Sequence, residues 1–154
     1  MECSLADFLT PAERSVRMSR IKGRDTKPEL RLRKALHGLG FRYRLHGALP
    51  GKPDLVFPRY RTVVFVHGCF WHRHKGCKVA ATPKSNTSFW LAKFARNTTR
   101  DAEVEARLRD AGWRVLTVWE CDVTSPLKAE AAARKLAAEI DPSRMRRDAG
   151  VQGR

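Results

Sequence analysis

Apolar residues fall at helical spacing in some stretches of this chain and in short unbroken runs in others, and the two patterns predict different elements. Asp25-Thr26-Lys27-Pro28-Glu29 has the form of a helix start, with Thr26 as cap, Pro28 in the first turn and Glu29 three residues after the cap. That helix is expected to run to about His37 and to stop at Gly38 and Gly40. Residues 41–46 alternate apolar and polar, as a half-buried strand does. A loop with Pro50 and Gly51 follows, then a short strand over 54–57 and a turn at 58–61. Residues 62–67 are nearly all apolar, which predicts a central strand buried on both faces.

Residues 68–88 are a long irregular stretch, a length that inside compact domains signals function or disorder. A helix capped by Ser88 should run toward Leu108, bent or interrupted at Asn97-Thr98-Thr99 and closed by Gly112. Residues 114–119 form another apolar run, and the alanine-rich residues 127–140 form a helix whose apolar face packs on the sheet. The expected fold is an α/β layered domain with a mixed sheet. Residues 1–17 form an arm or short helix, residues 18–140 one domain, and residues 141–154 a basic flexible tail.

Charge narrows the function. Lys and Arg number 31 against 16 Asp and Glu, a formal net charge of +15. Self-repulsion of that size is tolerated mainly by proteins that bind a polyanion, and nucleic acid is favoured over a membrane surface because no basic amphipathic helix stands out. A chain of 154 residues buries enough surface to fold without disulfides. The start, Met1-Glu2-Cys3-Ser4, lacks signal-peptide regions, so a cytoplasmic protein is expected. In that compartment Cys3, Cys69, Cys77 and Cys121 are metal ligands or core thiols.

Two groups of residues carry candidate chemistry. Cys69-x4-His74-x2-Cys77, with the distant Cys121, supplies three sulfurs and one nitrogen, the donor set of a closed tetrahedral zinc site. His72 is a rival ligand, since Cys69-x2-His72 is also a zinc-type spacing, and Cys3 is a bystander. Gly51-Lys52-Pro53-Asp54 places a carboxylate at the start of a strand, where a hard cation and a phosphate can meet it. A turn aspartate that stabilises its own loop is the structural alternative.

The run His67-Gly68-Cys69-Phe70-Trp71-His72 resembles the very short patch repair (Vsr-type) DNA mismatch endonucleases. So do Gly51-x-Pro53-Asp54, Trp119-Glu120-Cys121, Phe89-Trp90-Leu91 and the segment from Met18 to Thr26. The resemblance spans roughly residues 15–140. It implies a restriction-endonuclease-like three-layer α/β core with a mixed central sheet, flanking helices and a structural zinc loop. The implied reaction is a Mg²⁺-dependent nick 5′ to the thymine of a T·G mismatch left by deamination of 5-methylcytosine.

It also implies residue roles. Asp54 holds Mg²⁺ together with the main-chain carbonyl of Val66; His72 activates water and is oriented by Asp101; His67 and Glu29 support the site. Phe70 and Trp71 form a wedge beside the mismatch, joined by Met18, and Cys69, His74, Cys77 and Cys121 hold Zn²⁺. The partner is double-stranded DNA carrying the mismatch, with mismatch-repair and repair-synthesis proteins as further candidates, in a bacterial cytoplasm at the nucleoid. A monomer is expected, since a single mismatch has no two-fold axis.

The resemblance is imperfect in two places. Val66 stands where threonine is common in the family, and Lys75-Gly76 puts one residue more than expected between His74 and Cys77, which Gly76 can absorb. Several residues have structural readings as well: Glu29 as the partner of Thr26 in a capping box, Met18 as a core contact, Asp101 paired with a helix arginine. Phe89, Trp90, Trp113 and Trp119 are expected in the core. The rival functions are a zinc-stabilised DNA-binding module, a zinc hydrolase or base deaminase, and a restriction-type nuclease of the same fold. A deaminase is disfavoured because no glutamate lies two residues after His67, His72 or His74.

Overall fold

The computed structural model describes residues 10–20, 24–144 and 146, without the side chains of Arg14, Arg17 and Met18. Cys3 and most of the expected tail lie outside the described residues, as does the side chain of Met18. Among the described residues four α-helices, α1 (Pro11–Ser19), α2 (Lys27–Gly38), α3 (Thr87–Asp110) and α4 (Pro126–Ile140), accompany four strands. The strands are β1 (Arg44–Leu45), β2 (Leu55–Phe57), β3 (Thr62–His67) and β4 (Arg114–Trp119). They form one mixed sheet in the order β1-β2-β3-β4. β1, β2 and β3 pair antiparallel, and β3 pairs in parallel with β4. No described helix is long and apolar enough to cross a membrane.

Period-two alternation sends successive residues of each strand to opposite faces. Leu55, Phe57, Val64, Val66, Leu116 and Val118 face α2 and α4 and form the larger core with Leu32, Leu36, Phe41, Leu136 and Ile140. Val56, Val63, Phe65 and Val115 face the other way, toward Val104 and Leu108 of α3. The result is three layers, helix pair, sheet and helix, each covering an apolar surface that would otherwise meet water.

The helix starts follow local chemistry. The Thr26 hydroxyl accepts the Glu29 amide, and Ser125 accepts the Lys128 amide. With Ser125 as cap, α4 begins at Pro126, one residue before the expected start. For α3 the expected Ser88 cap is wrong: the cap position is Asn86, in the left-handed region at φ 53° and without a side-chain cap bond. The expected interruption at residues 97–99 is also absent, since α3 is continuous from Thr87 to Asp110. The Thr98 hydroxyl donates back to the carbonyls of Phe94 and Ala95, so its polar group is satisfied inside the helix and α3 runs on.

Two strand expectations change. Of residues 41–46 only Arg44–Leu45 pairs, and both residues are exposed. The alternation there records anchoring rather than a ladder. Phe41 is 2% exposed and meets Phe57 edge to face, and the Tyr43 hydroxyl donates to the Arg33 carbonyl. β3 is not buried along its whole length. Thr62, Val63 and Val64 are buried, but Phe65, Val66 and His67 are half-buried, so the cover thins toward the strand end on both faces.

Candidate active site and metal centre

The sheet brings the candidate carboxylate to the end of β3. Because β2 runs antiparallel to β3, the residue before β2 lies beside the last residues of β3. Asp54 Oδ2 accepts the Val66 amide at 2.7 Å. Burial pushes the Asp54 carboxyl up to about 6, opposed by that amide and reinforced by nearby Glu29. A carboxylate with its charge so little compensated is a fit place for a divalent cation. The carbonyl of Val66 belongs to the same strand end.

Asp54, Val66, His67, His72, Asp101 and Glu29 line one cleft of about 480 Å³ together with Lys52 and Arg100. The His72 Nδ1 lies 2.5 Å from Asp101 Oδ2, so Asp101 pairs with this histidine and not with a helix arginine. A donor at Nδ1 leaves Nε2 as the basic nitrogen. His67 stacks on His72 with centroids 3.9 Å apart and planes 6° apart. Burial, and then the neighbouring His72, push His67 down to about 4, so it is neutral at pH 7. His67, His72 and Asp101 lie close enough to suggest a metal trio. The geometry argues against it: a metal lies in the plane of each imidazole it binds, and planes 6° apart and stacked cannot share one ion.

Glu29 is 4% exposed and already satisfied. It receives the Thr26 hydroxyl at 3.1 Å, the Asp25 amide at 2.9 Å and Arg33 at 3.0 Å. It therefore stabilises the helix start and lends negative charge to the cleft at the same time.

A second cluster lies just beyond the paired ends of β3 and β4. The ligand atoms of Cys69, His74, Cys77 and Cys121 are all within 4.8 Å of one another. His74 Nδ1 is 3.6 Å from the Cys69 sulfur and 3.4 Å from that of Cys121. Bonds of about 2.3 Å to sulfur and 2.0 Å to nitrogen put tetrahedral S···N edges near 3.5 Å, so the donors fit an ion of that kind. Without a cation, burial and the adjacent Cys69 push the Cys121 thiol up to about 12, while the Val79 amide holds Cys77 below its ordinary value. The structure places His74, and not His72, among these thiols. Between His74 and Cys77, Gly76 adopts a φ of +75°, which suits glycine.

Between the two sites the chain makes a tight turn. The His72 amide donates to the Gly68 carbonyl and the His74 amide to the Cys69 carbonyl, with Arg73 left-handed at φ 56°. Arg73 offsets that strain by lying 3.9 Å over the Phe94 ring and donating to Thr82. One face of α3 seats the turn residue by residue. Phe94 meets Phe70 at 5.1 Å, Asn97 donates to the Trp71 carbonyl, and Asp101 holds His72.

The sequence reading missed Asn97, Arg73 and Arg100 as site residues. The helical spacing 94, 97, 101 was the available signal. Of the expected core aromatics, Trp90 is buried, but Phe89 is 46% exposed beside Lys93 and Trp90. Trp119 is half-buried between the two sites.

Residues 6–78 match the family model described as DNA mismatch endonuclease Vsr. The chain is 44% identical over 140 residues to the Type II nicking enzyme V.XorIIP of Xanthomonas oryzae pv. oryzae, covering 90% of this chain and 100% of that one. It is 42% identical over 137 residues to the Type II nicking enzyme V.NmeAIP of Neisseria meningitidis, covering 88% and 97%. It is 48% identical over 118 residues to the DNA mismatch endonuclease Vsr of Escherichia coli, covering 76% and 75%. With relatives this similar along most of both chains, the chain belongs to the Vsr family of DNA mismatch endonucleases.

Proposed function

We propose that this protein nicks one strand of duplex DNA 5′ to the thymine of a T·G mismatch. One observation carries the reading: the Asp54 carboxylate and the Asp101-held His72 open onto a single cleft. Bound at Asp54 and the Val66 carbonyl, Mg²⁺ supplies the positive charge that a phosphodiester transition state requires. Asp101 fixes the His72 tautomer, and His72 Nε2 takes a proton from the attacking water. Hydrolysis leaves one phosphate end and one hydroxyl end. His67 stays neutral against His72, so it adds no charge that would discourage proton uptake. Glu29 supports Asp54 from α2. Lys52 and Arg100 offer the cleft its cations for backbone phosphates.

Phe70 and Trp71 are the wedge, and the family resemblance adds Met18 of α1, whose side chain lies outside the described residues. Unstacking a base step costs a few kcal/mol and least at a mispaired step, so a rigid wedge favours mismatches. Cys69, His74, Cys77 and Cys121 would hold Zn²⁺, and since Cys69 precedes the wedge and His74 follows it, that bonding would keep the wedge rigid. The substrate lacks a two-fold axis, so one copy of the chain suffices.

The test is strand-specific cleavage by zinc-loaded protein of end-labelled duplexes, matched or carrying one T·G pair in varied sequence contexts, with and without added Mg²⁺. A single Mg²⁺-dependent nick at the mispaired thymine is expected. Double-strand cutting of matched DNA would indicate a restriction enzyme, and binding without cutting in every context would leave a DNA-binding module.

A further inference from the structure

One ring touches both halves of the site. Trp119 ends β4 as the register partner of His67 at the end of β3. Its indole lies face to face with the His74 imidazole, centroids 4.2 Å and planes 8° apart. It also meets His67 nearly edge-on, at 5.5 Å and 70°. His67 stacks on His72, and His72 is held by Asp101. The rings form an unbroken ladder from the cysteine-histidine cluster to the base of the proposed reaction.

The ladder matters because of how weakly His67 is otherwise held. Pairing of β3 with β4 fixes its backbone, but backbone pairing sets no side-chain torsion. Among the described residues the His67 ring makes no hydrogen bond. Its orientation rests on ring contacts with Phe65, His72 and Trp119. Phe65 and His72 leave the side toward the metal cluster open, and Trp119 fills it. Aromatic contacts of this kind have a preferred geometry, so they align a ring as well as bury it.

We propose that Trp119 is a positioning residue: it braces His67, and through it His72, against the His74 side of the metal cluster. Order at the cluster then reaches the imidazole that receives the proton. The proposal rests on the proposed role of His72 as the base, and its test separates the two.

Trp119→Ala, Trp119→Leu and Trp119→Phe are compared with the parent in three readouts: zinc content, the ¹⁵N imidazole pattern of His72 in zinc-loaded, DNA-free protein, and kcat and KM for nicking. In Trp119→Ala and Trp119→Leu, zinc should stay at about one ion per chain. In both, the His72 signals should shift and broaden as the ring loses its fixed orientation, while the tautomer held by Asp101 remains. kcat should fall roughly tenfold to a hundredfold, as expected for a slightly misplaced group, with KM within about threefold. Trp119→Phe, which keeps a ring, should restore the His72 pattern and most of kcat. Leucine keeps bulk without a ring, so it carries the test if the alanine variant does not fold.

Leu and Phe variants that behave alike would overturn the proposal. So would zinc-loaded Trp119→Ala with the parent's His72 pattern and kcat, or a kcat that tracks zinc content alone. If the parent nicks no T·G duplex, the proposed function fails, while the His72 pattern still decides whether Trp119 positions the histidines.

Discussion

The two faces of β3 and β4 are made from the same two strands and do different work. On the α2–α4 face, Val64 pairs with Leu116 and Val66 with Val118, and the side chains stay apolar to the strand ends. On the α3 face the pairs run Val63 with Val115, Phe65 with Thr117, His67 with Trp119. Polarity rises along that face, and where the apolar cover ends the cleft begins. One face maximises buried apolar area, the main favourable term in folding. The other gives up that area over its last residues to hold an uncompensated carboxylate and two imidazoles. The cysteine-histidine cluster sits at this weak end, where a metal can tie the strand ends and the long loop together.

The sharpest way to break this contrast is to remove the tie. Cys121→Ser should strip most of a zinc contribution of about 10 kcal/mol in apparent folding free energy and leave the chain largely unfolded at 37 °C. EDTA should do the same to the parent, followed by circular dichroism melting. Melting curves indifferent to both would refute the metal tie.

Next in size is the carboxylate. Asp54→Asn should lower nicking by roughly a thousandfold while duplex affinity stays within a few-fold, measured by gel cleavage and fluorescence anisotropy. Parallel loss of binding and cleavage would argue against a metal role for Asp54.

The opposite face should respond in the opposite way. Leu36→Ala, at a fully buried core position, should cost about 2–5 kcal/mol in denaturant unfolding. The kcat of the folded fraction should not change. A large fall in kcat with modest destabilisation would show that the faces are not independent.

The smallest effect concerns pH. The folded protein holds the Asp54 proton up to about pH 6, whereas an unfolded aspartate releases it near 4. Folding of the zinc-loaded, Mg²⁺-free protein therefore takes up a proton between those values, and ionised Asp54 opposes folding above pH 6. Asp54→Asn should be more stable than the parent by on the order of 2 kcal/mol at pH 7 without Mg²⁺, zinc being retained in both, and the gap should close as pH falls to 4. His67 has the opposite sign: pushed down to about 4, it makes the fold lose stability as pH drops from about 6.5. Both proteins share the His67 effect, so their difference isolates Asp54. A gap that widens toward pH 4 would contradict the buried-carboxylate account.

Much of this was legible before any coordinates. The Thr26 cap, the β3 and β4 runs and the Cys69-x4-His74-x2-Cys77 spacing depend on neighbours in sequence, and local chemistry decides them. Residues 41–46 misled because two aromatic anchors imitate the alternation of a strand. Asn97 escaped notice because a threonine-rich triplet looks like a break until the Thr98 hydroxyl is seen bonded within its own helix.

Whether His72 or His74 joins the cysteines could not be decided from spacing, since both lie within reach of Cys69. The turn geometry, the left-handed Arg73 and the flexibility of Gly76 decide it by aiming one imidazole at the thiols and the other at Asp101. The sequence by itself determined the donor types, the apolar periods and the charge, because these are properties of residues and short-range spacing. Only the tertiary structure decided which donors face one another. Cys121 and Asp101 reach their partners across 47 and 29 residues of chain, and only the packing of α3 and β4 against β3 brings them there.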